Sequence, residues 1–265
     1  MIRNIFKVVY DFRHFISSSI KNDFRARVAR SRVGAAWVIL QPLAQSAIFA
    51  IVLSEVLSAR LPGNLGKFTY AVYLLAGMLC WSLFFEIVTR SIGIFIENAN
   101  LLKKISFPRI TLPIIGVGSG LLNNTFLAVA TVIVCLFMNV KPSAAWLSLP
   151  ILMLITAALA TGIGLFWGII NVFLRDVSQV APVLLQLWFW MTPIVYTRET
   201  VPSSFAAILQ INPMTPLVNA YQDVFVKNEF PDFSTLIYPT TLSILALAIA
   251  YVTFRRASPD MTDVL

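Results

Sequence analysis

Charge, cysteine and histidine are all scarce in this 265-residue chain, which has 12% charged residues, two cysteines and one histidine. A soluble domain carries about a quarter of its residues charged. With 58% hydrophobic residues and a mean hydropathy of +0.81, the composition points to an integral membrane protein. Cys80 and Cys135 both lie inside apolar runs, where a thiol acts as small apolar filler and not as half of a disulfide or a metal ligand. The lone histidine, His14, has no second histidine or cysteine nearby, so a metal centre is not expected. The chemistry of a site is also missing. Gly66-Lys67 lacks the upstream glycine and the following hydroxyl residue of a phosphate loop, and there is no H-E-x-x-H, no C-x-x-C and no serine with a histidine base. Such a chain moves something and does not transform it. If ATP drives the movement, the ATPase is another subunit. A cleavable signal peptide is not expected either, because Arg3, Lys7, Asp11, Arg13 and His14 interrupt the first stretch.

What the chain does have is long apolar runs. A membrane-crossing helix needs about 20 apolar residues, and six stretches qualify, near 35–57, 70–96, 110–138, 146–173, 178–196 and 236–254. The expected fold is all-α and membrane-integral, with a span region over 35–254 and a short polar tail over 255–265. An even number of spans puts both termini on one side. Fourteen of the twenty Lys and Arg residues flank the spans on the side of the termini and five lie opposite. The excess of basic residues marks that side as cytoplasmic. The net charge of +8 is spread over these short flanking segments and does not suggest nucleic-acid binding.

Polar residues inside this apolar background deserve individual readings. In residues 1–34, Ile5, Val8, Val9, Phe12 and Ile16 recur at helical spacing, as in a helix lying in the membrane interface. Arg25, Arg27, Arg30 and Arg32 follow. They either set topology or meet a phosphate, for which the planar guanidinium fork is suited. Gln41 and Gln45 flank Pro42 in the first span and face either protein or a wet path. Glu86 and Arg90, spaced i, i+4 in the second span, form a structural ion pair that lowers the cost of burying charge; a proton relay is the competing reading. Ala160, Gly164 and Gly168, four apart, predict close helix contact. Trp188, Phe189, Trp190 and Tyr196 form an aromatic cluster that Pro193 interrupts. Residues 197–235 are too polar to span and read as short amphipathic helices on the external face.

The main polar island between spans is residues 97–109. Leu101, Leu102 and Ile105 fall at helical spacing, Lys103, Lys104 and Arg109 are basic, and Pro108 breaks the helix. A short amphipathic helix tethered here is either a docking surface for a cytoplasmic partner or an ordinary interfacial loop.

Several stretches together resemble one family: Arg30-Ser-Arg-Val-Gly-Ala-Ala-Trp-Val-Ile-Leu-Gln-Pro42, Asn98-Ala-Asn-Leu-Leu-Lys-Lys-Ile-Ser-Phe-Pro-Arg109, Phe173-Leu-Arg-Asp-Val177, Trp188-Phe-Trp-Met-Thr-Pro-Ile-Val-Tyr196 and Ile211-Asn-Pro-Met-Thr-Pro216. The chain is similar to the permeases of type 2 ABC exporters for polysaccharides, the O-antigen permeases and their capsule and teichoic-acid relatives. Val33-Gly34 departs from the Leu-Gly of many relatives. The resemblance implies a homodimer of six-span subunits in the bacterial inner membrane, bound to two copies of an ATP-binding subunit that holds ATP and Mg; this chain holds no cofactor. It implies a coupling helix over 98–106, formed by Asn98, Asn100, Leu101, Leu102, Lys103, Lys104 and Ile105. It also implies a lipid-linked glycan as cargo, with its diphosphate near Arg27, Arg30 and Arg32. Gln41, Gln45, Trp188, Trp190, Pro193 and Tyr196 become channel or gate candidates, with re-entrant gate helices over about 197–232. Two other readings stay open: an intramembrane enzyme on a lipid-linked sugar with Glu86 or Asp223 as base, and a secondary transporter using Glu86 and Arg90.

Overall fold

The computed structural model describes residues 10–29, 67–104, 108–138, 140–197 and 203–264, with the single positions 36, 40, 41, 43, 44 and 48; the side chains of 27–29, 67–68, 104, 203–206 and 262–264 lie outside that description. All regular structure among the described residues is helical. The elements are α1 (Arg13–Ala29), α2 (Lys67–Glu97), α3 (Ala99–Lys104), α4 (Thr111–Phe137), α5 (Leu149–Phe173, after a 3-10 turn at Ala144–Ser148), α6 (Val177–Trp190), α7 (Ser203–Ile211), α8 (Met214–Gln222) and α9 (Ile237–Val264).

Four helices among the described residues are long and apolar enough to cross a membrane: α2, α4, α5 with its 3-10 turn, and α9. The expected first span, 35–57, lies outside the described residues except for six positions, all with helical backbone. The expected fifth span, 178–196, differs from the structure. Its helix, α6, has 14 residues and at about 1.5 Å per residue reaches about 21 Å, short of a ~30 Å hydrocarbon core. The apolar run continues past Trp190, but the chain turns at 191–196 and not in a further helical turn. Proline at position 193 has no backbone N–H to continue the ladder. The last helix, by contrast, runs on through Arg255 and Arg256 to Val264, so the polar tail is helical up to there.

Helix α2 is the centre of the fold. Leu74, Leu79, Leu83, Phe84, Ile87, Val88 and Phe95 are all buried, and α5, α4, α8 and α6 pack around it. The small residues of α5 set its spacing. A Cβ on Gly164 would lie 2.8 Å from the Ser91 Cβ and 2.9 Å from the Val88 Cα, and one on Gly168 would meet the Ser91 carbonyl oxygen. On the other side, a Cβ on Gly162 would lie 2.6 Å from the Ala246 Cβ of α9. In lipid, where apolar surface gains little by leaving its surroundings, such close backbone contact is what holds spans together. Asn171 locks the same interface by donating to the Ile92 carbonyl at 2.9 Å and accepting from the Ser178 N–H at 3.1 Å, which also fixes the tight turn at Arg175-Asp176.

Helix α1 takes in the basic segment up to Ala29 and lies along α4. Ile16, Ile20 and Phe24 recur every four residues on its packed face. Ile16 is buried, Ile20 meets Gly118, and Phe24 stacks on Phe126 with ring centroids 5.1 Å apart.

Candidate functional site

The first candidate element is α3. Asn98 makes the joint between α2 and α3. Its Nδ2 donates to the Ile94 carbonyl at 2.8 Å, and its own carbonyl accepts from the Leu101 and Leu102 N–H groups at 3.0 Å. A helix end leaves carbonyls unpaired, and this side chain satisfies one of them while the backbone starts the next helix. Leu102 then drops into an apolar seat made by Ile94 and Phe95 of α2, Leu112 of α4, and Phe254 and Met261 of α9. Phe95 and Phe254 stack with centroids 5.8 Å apart. Arg109 donates from Nη1 to the Ser258 hydroxyl at 3.0 Å, fastening the chain beyond α3 to the same end of α9. With Leu102 buried and Leu101 half-buried, Asn100 and Lys103 are left exposed. The outward side chains are therefore polar and basic. Asn98, half-buried, ties α3 to α2 through its side chain. The Lys104 side chain and Ile105 lie outside the described residues.

The second element is the turn at 191–196, at the opposite end of α2. Its backbone carbonyls are held by side chains from α2, from α8 and from the joint before α8. Tyr70 donates to the Val195 carbonyl at 2.8 Å, Tyr73 is within reach of those of Pro193 at 3.1 Å and Tyr196 at 2.9 Å, and Gln222 donates to Pro193 at 3.2 Å. Asn212, just before α8, is the hub. Its amide donates to the Met191 carbonyl and the Thr192 hydroxyl, both at 3.0 Å, and its Oδ1 accepts from the Trp188 indole at 2.8 Å and the Met214 N–H at 3.0 Å. Both donors and both lone pairs of the amide are thereby used. Close packing reinforces the clamp, since a Cβ on Gly77 of α2 would come within 3.1 Å of Ile194. The aromatic cluster is divided by this arrangement. Trp188 packs on Phe84 and is tied to Asn212, and Pro193 is buried. Tyr196 donates to the Trp190 carbonyl at 2.9 Å, while the Trp190 ring itself is exposed.

Between the two ends, Glu86 and Arg90 are bonded to each other, with Nε to Oε1 at 3.0 Å, and two residues join them. Asn123 of α4 donates to Glu86 Oε1 at 2.6 Å, and Asp23 of α1 pairs with Arg90 Nη1 at 2.8 Å. The structural reading of the pair thus extends to a four-residue network that fastens α1 to α2. The carboxylates that an intramembrane base would need are both engaged, Glu86 here and Asp223 with Lys227 at 2.7 Å. That partner holds the Lys227 ammonium above its ordinary pKa.

Of the phosphate candidates, Arg27 lies on α1 with its side chain outside the description, and Arg30 and Arg32 lie outside the described residues, as does Gln45. Gln41 has helical backbone and is exposed. Asp23, Asn123, Asn212, Gln222, Tyr70 and Tyr73 carry the clamps and were not singled out by pattern. The only local signals were the i, i+3 spacing of the two tyrosines and the position of Asn212 in Ile211-Asn-Pro-Met-Thr-Pro216.

The chain is 29% identical over 233 residues to an O-antigen export system permease protein RfbA of Klebsiella pneumoniae, covering 86% of this chain and 87% of that one. It is 25% identical to an RfbA protein of Myxococcus xanthus over 99% of both chains. The polysialic acid transport protein KpsM of Escherichia coli is 23% identical over 90% of this chain and 92% of its own. The sequence profile of the family described as "ABC-2 type transporter" matches residues 15–226, which takes in nearly all of α1, then α2 to α8 and the clamped turn. With most of its length under that profile, this membrane-spanning chain belongs to the ABC-2 type transporter family.

Proposed function

We propose that this chain is the permease subunit of an ATP-driven exporter that carries a lipid-linked polysaccharide of O-antigen type from the cytoplasmic side across the bacterial inner membrane. Two copies form the conduit, and each binds a separate ATP-binding subunit that holds ATP and Mg. Both termini are cytoplasmic, in keeping with the excess of basic residues on their side. The observation that carries the reading is that one helix serves both working ends. α2 packs against α3 at Phe95 and holds the 191–196 turn at Tyr70 and Tyr73, about 40 Å away at 1.5 Å per residue. When ATP draws the two partner subunits together, the α3 helices move with them. The apolar seat passes that displacement to α2 as a rigid-body shift, and the far end of α2 moves the turn that borders the exit. Arg27, Arg30 and Arg32 lie on the cytoplasmic side, where the diphosphate of the lipid carrier is received.

Charge reversal tests the docking surface. Lys103→Glu with Lys104→Glu is expected to abolish co-purification of the ATP-binding subunit, or to bring stimulated ATP hydrolysis down to the unstimulated level, with normal membrane insertion. Normal assembly and normal turnover in that variant remove α3 from the coupling role. A second reading, capsular polysaccharide export, is favoured by the similarity to KpsM over 90% of the chain. It leaves the mechanism unchanged and alters only the cargo.

A further inference from the structure

On the face opposite α3, the chain after the clamped turn encloses a cleft of about 450 Å³ between α7, α8 and the start of α9. Small-molecule sites occupy roughly 300–1,000 Å³. The cleft has room for a short run of sugar units and none for a folded partner.

Its lining is mixed in a specific way. Gln210, Asn219, Asp223 and Asp232 bring planar amide and carboxylate groups from three different segments, and Tyr238 brings an aromatic ring. Several of these groups are already oriented. Asp232 Oδ1 accepts from the Ser234 N–H at 2.9 Å and its hydroxyl at 2.7 Å, which leaves Oδ2 without a hydrogen bond among the described residues and holds the carboxyl below its ordinary pKa. The Tyr238 hydroxyl donates to the Ile211 carbonyl at 2.6 Å, so the ring is held at the rim. Asp223 is fixed by Lys227 at 2.7 Å. In the lining, Thr215 is 3% exposed, and its buried hydroxyl has no partner among the described residues. A buried polar group without a partner is costly in a finished fold, and here it belongs to a residue that lines a cleft rich in hydrogen-bonding groups.

We propose that this cleft is a binding site for neutral sugar units of the exported glycan as they leave the conduit. The inference rests on the polysaccharide reading above and adds a place of contact to it. Planar amides and carboxylates present paired acceptors and donors that match neighbouring sugar hydroxyls, and an aromatic ring offers a face for the C–H side of a pyranose. The charge of the lining selects among sugars. It carries two carboxylates, of which Lys227 offsets one, so anionic sugars are repelled.

The test uses the full-length protein in nanodiscs and saturation-transfer NMR with free D-mannose, D-galactose, N-acetylglucosamine and N-acetylneuraminic acid as probes. At least one neutral sugar is expected to give a signal, and N-acetylneuraminic acid none. Asn219→Ala and Asp232→Ala are each expected to weaken the neutral-sugar affinity by up to about tenfold, the scale of one lost hydrogen bond. Thr215→Val keeps the shape and removes the unpartnered hydroxyl. It is expected to weaken binding while leaving thermal stability equal or higher. The site is disproved by no signal from any neutral sugar, by signals unchanged in all three variants, or by preference for the acidic sugar. ATP-dependent export measured on the same variants separates the two ideas. Export without sugar binding discards this site and keeps the permease reading, whereas sugar binding without export by the wild type does the reverse.

Discussion

The two ends of α2 are built from different materials. At the Tyr70 end, the 191–196 turn is held by hydrogen bonds from Tyr70, Tyr73, Asn212 and Gln222. Each such bond fixes a direction as well as a distance, and in a poorly solvated setting a broken one leaves a costly orphan. At the Phe95 end, α3 sits on Phe95, Leu112, Phe254 and Met261, and its polar ties are fewer, from Asn98 to the Ile94 carbonyl and from Arg109 to Ser258. Apolar contact fixes burial but tolerates sliding and tilting. The contrast fits the proposed mechanism: the end proposed to receive force has an apolar seat, and the end proposed to border the exit has a hydrogen-bonded frame.

Asn212→Leu should break the comparison most severely. It removes the hub for Trp188, Met191, Thr192 and Met214 and strands several buried groups, so a loss of about 3 kcal/mol or more is expected. The check is thermal unfolding together with amide exchange, which should rise at 191–196 and stay unchanged at 99–104. Leu102→Ala is the counterpart at the other end. It empties part of the apolar seat at an expected cost of about 2–3 kcal/mol. It should loosen 99–104 and weaken stimulation of the partner's ATP hydrolysis while 191–196 keeps its protection. Equal loosening at both ends in either variant would dissolve the distinction. Tyr73→Phe sharpens it with a smaller effect. The hydroxyl has one hydrogen to share between the Pro193 and Tyr196 carbonyls, so its loss is expected to cost about 1 kcal/mol. It should be visible as faster exchange confined to the turn.

The sequence made one of these ends legible and hid the other. Leu101, Leu102 and Pro108 mark α3 by period and stop signal, and apolar run length locates α2, α4, α5 and α9, because a membrane constrains length so tightly. At 178–196 the helix stops at Trp190, before the apolar run ends, with Pro193 just beyond the stop. The long-range bonds of the clamps left almost no local signal. Asn212 acts on residues some twenty positions earlier in the chain, Tyr70 reaches across 125 positions to Val195, and Asp23 reaches across 67 to Arg90. Neither periodicity nor propensity reports a side chain whose partner is chosen by the fold.

The contact of Gly164 and Gly168 with Ser91 has a mechanical consequence. A Cβ on Gly168 would overlap the Ser91 carbonyl oxygen, the closest such approach to α2 among the described glycines, and α2 contains no proline to bend it. Ser91 stands six residues from Glu97 but twenty-one from Tyr70, which makes arms of about 9 Å and about 31 Å on a rod pivoting there. On the proposed mechanism, a displacement at the short arm is multiplied about threefold at the long one, so a modest stroke at α3 corresponds to a wider movement of the 191–196 turn.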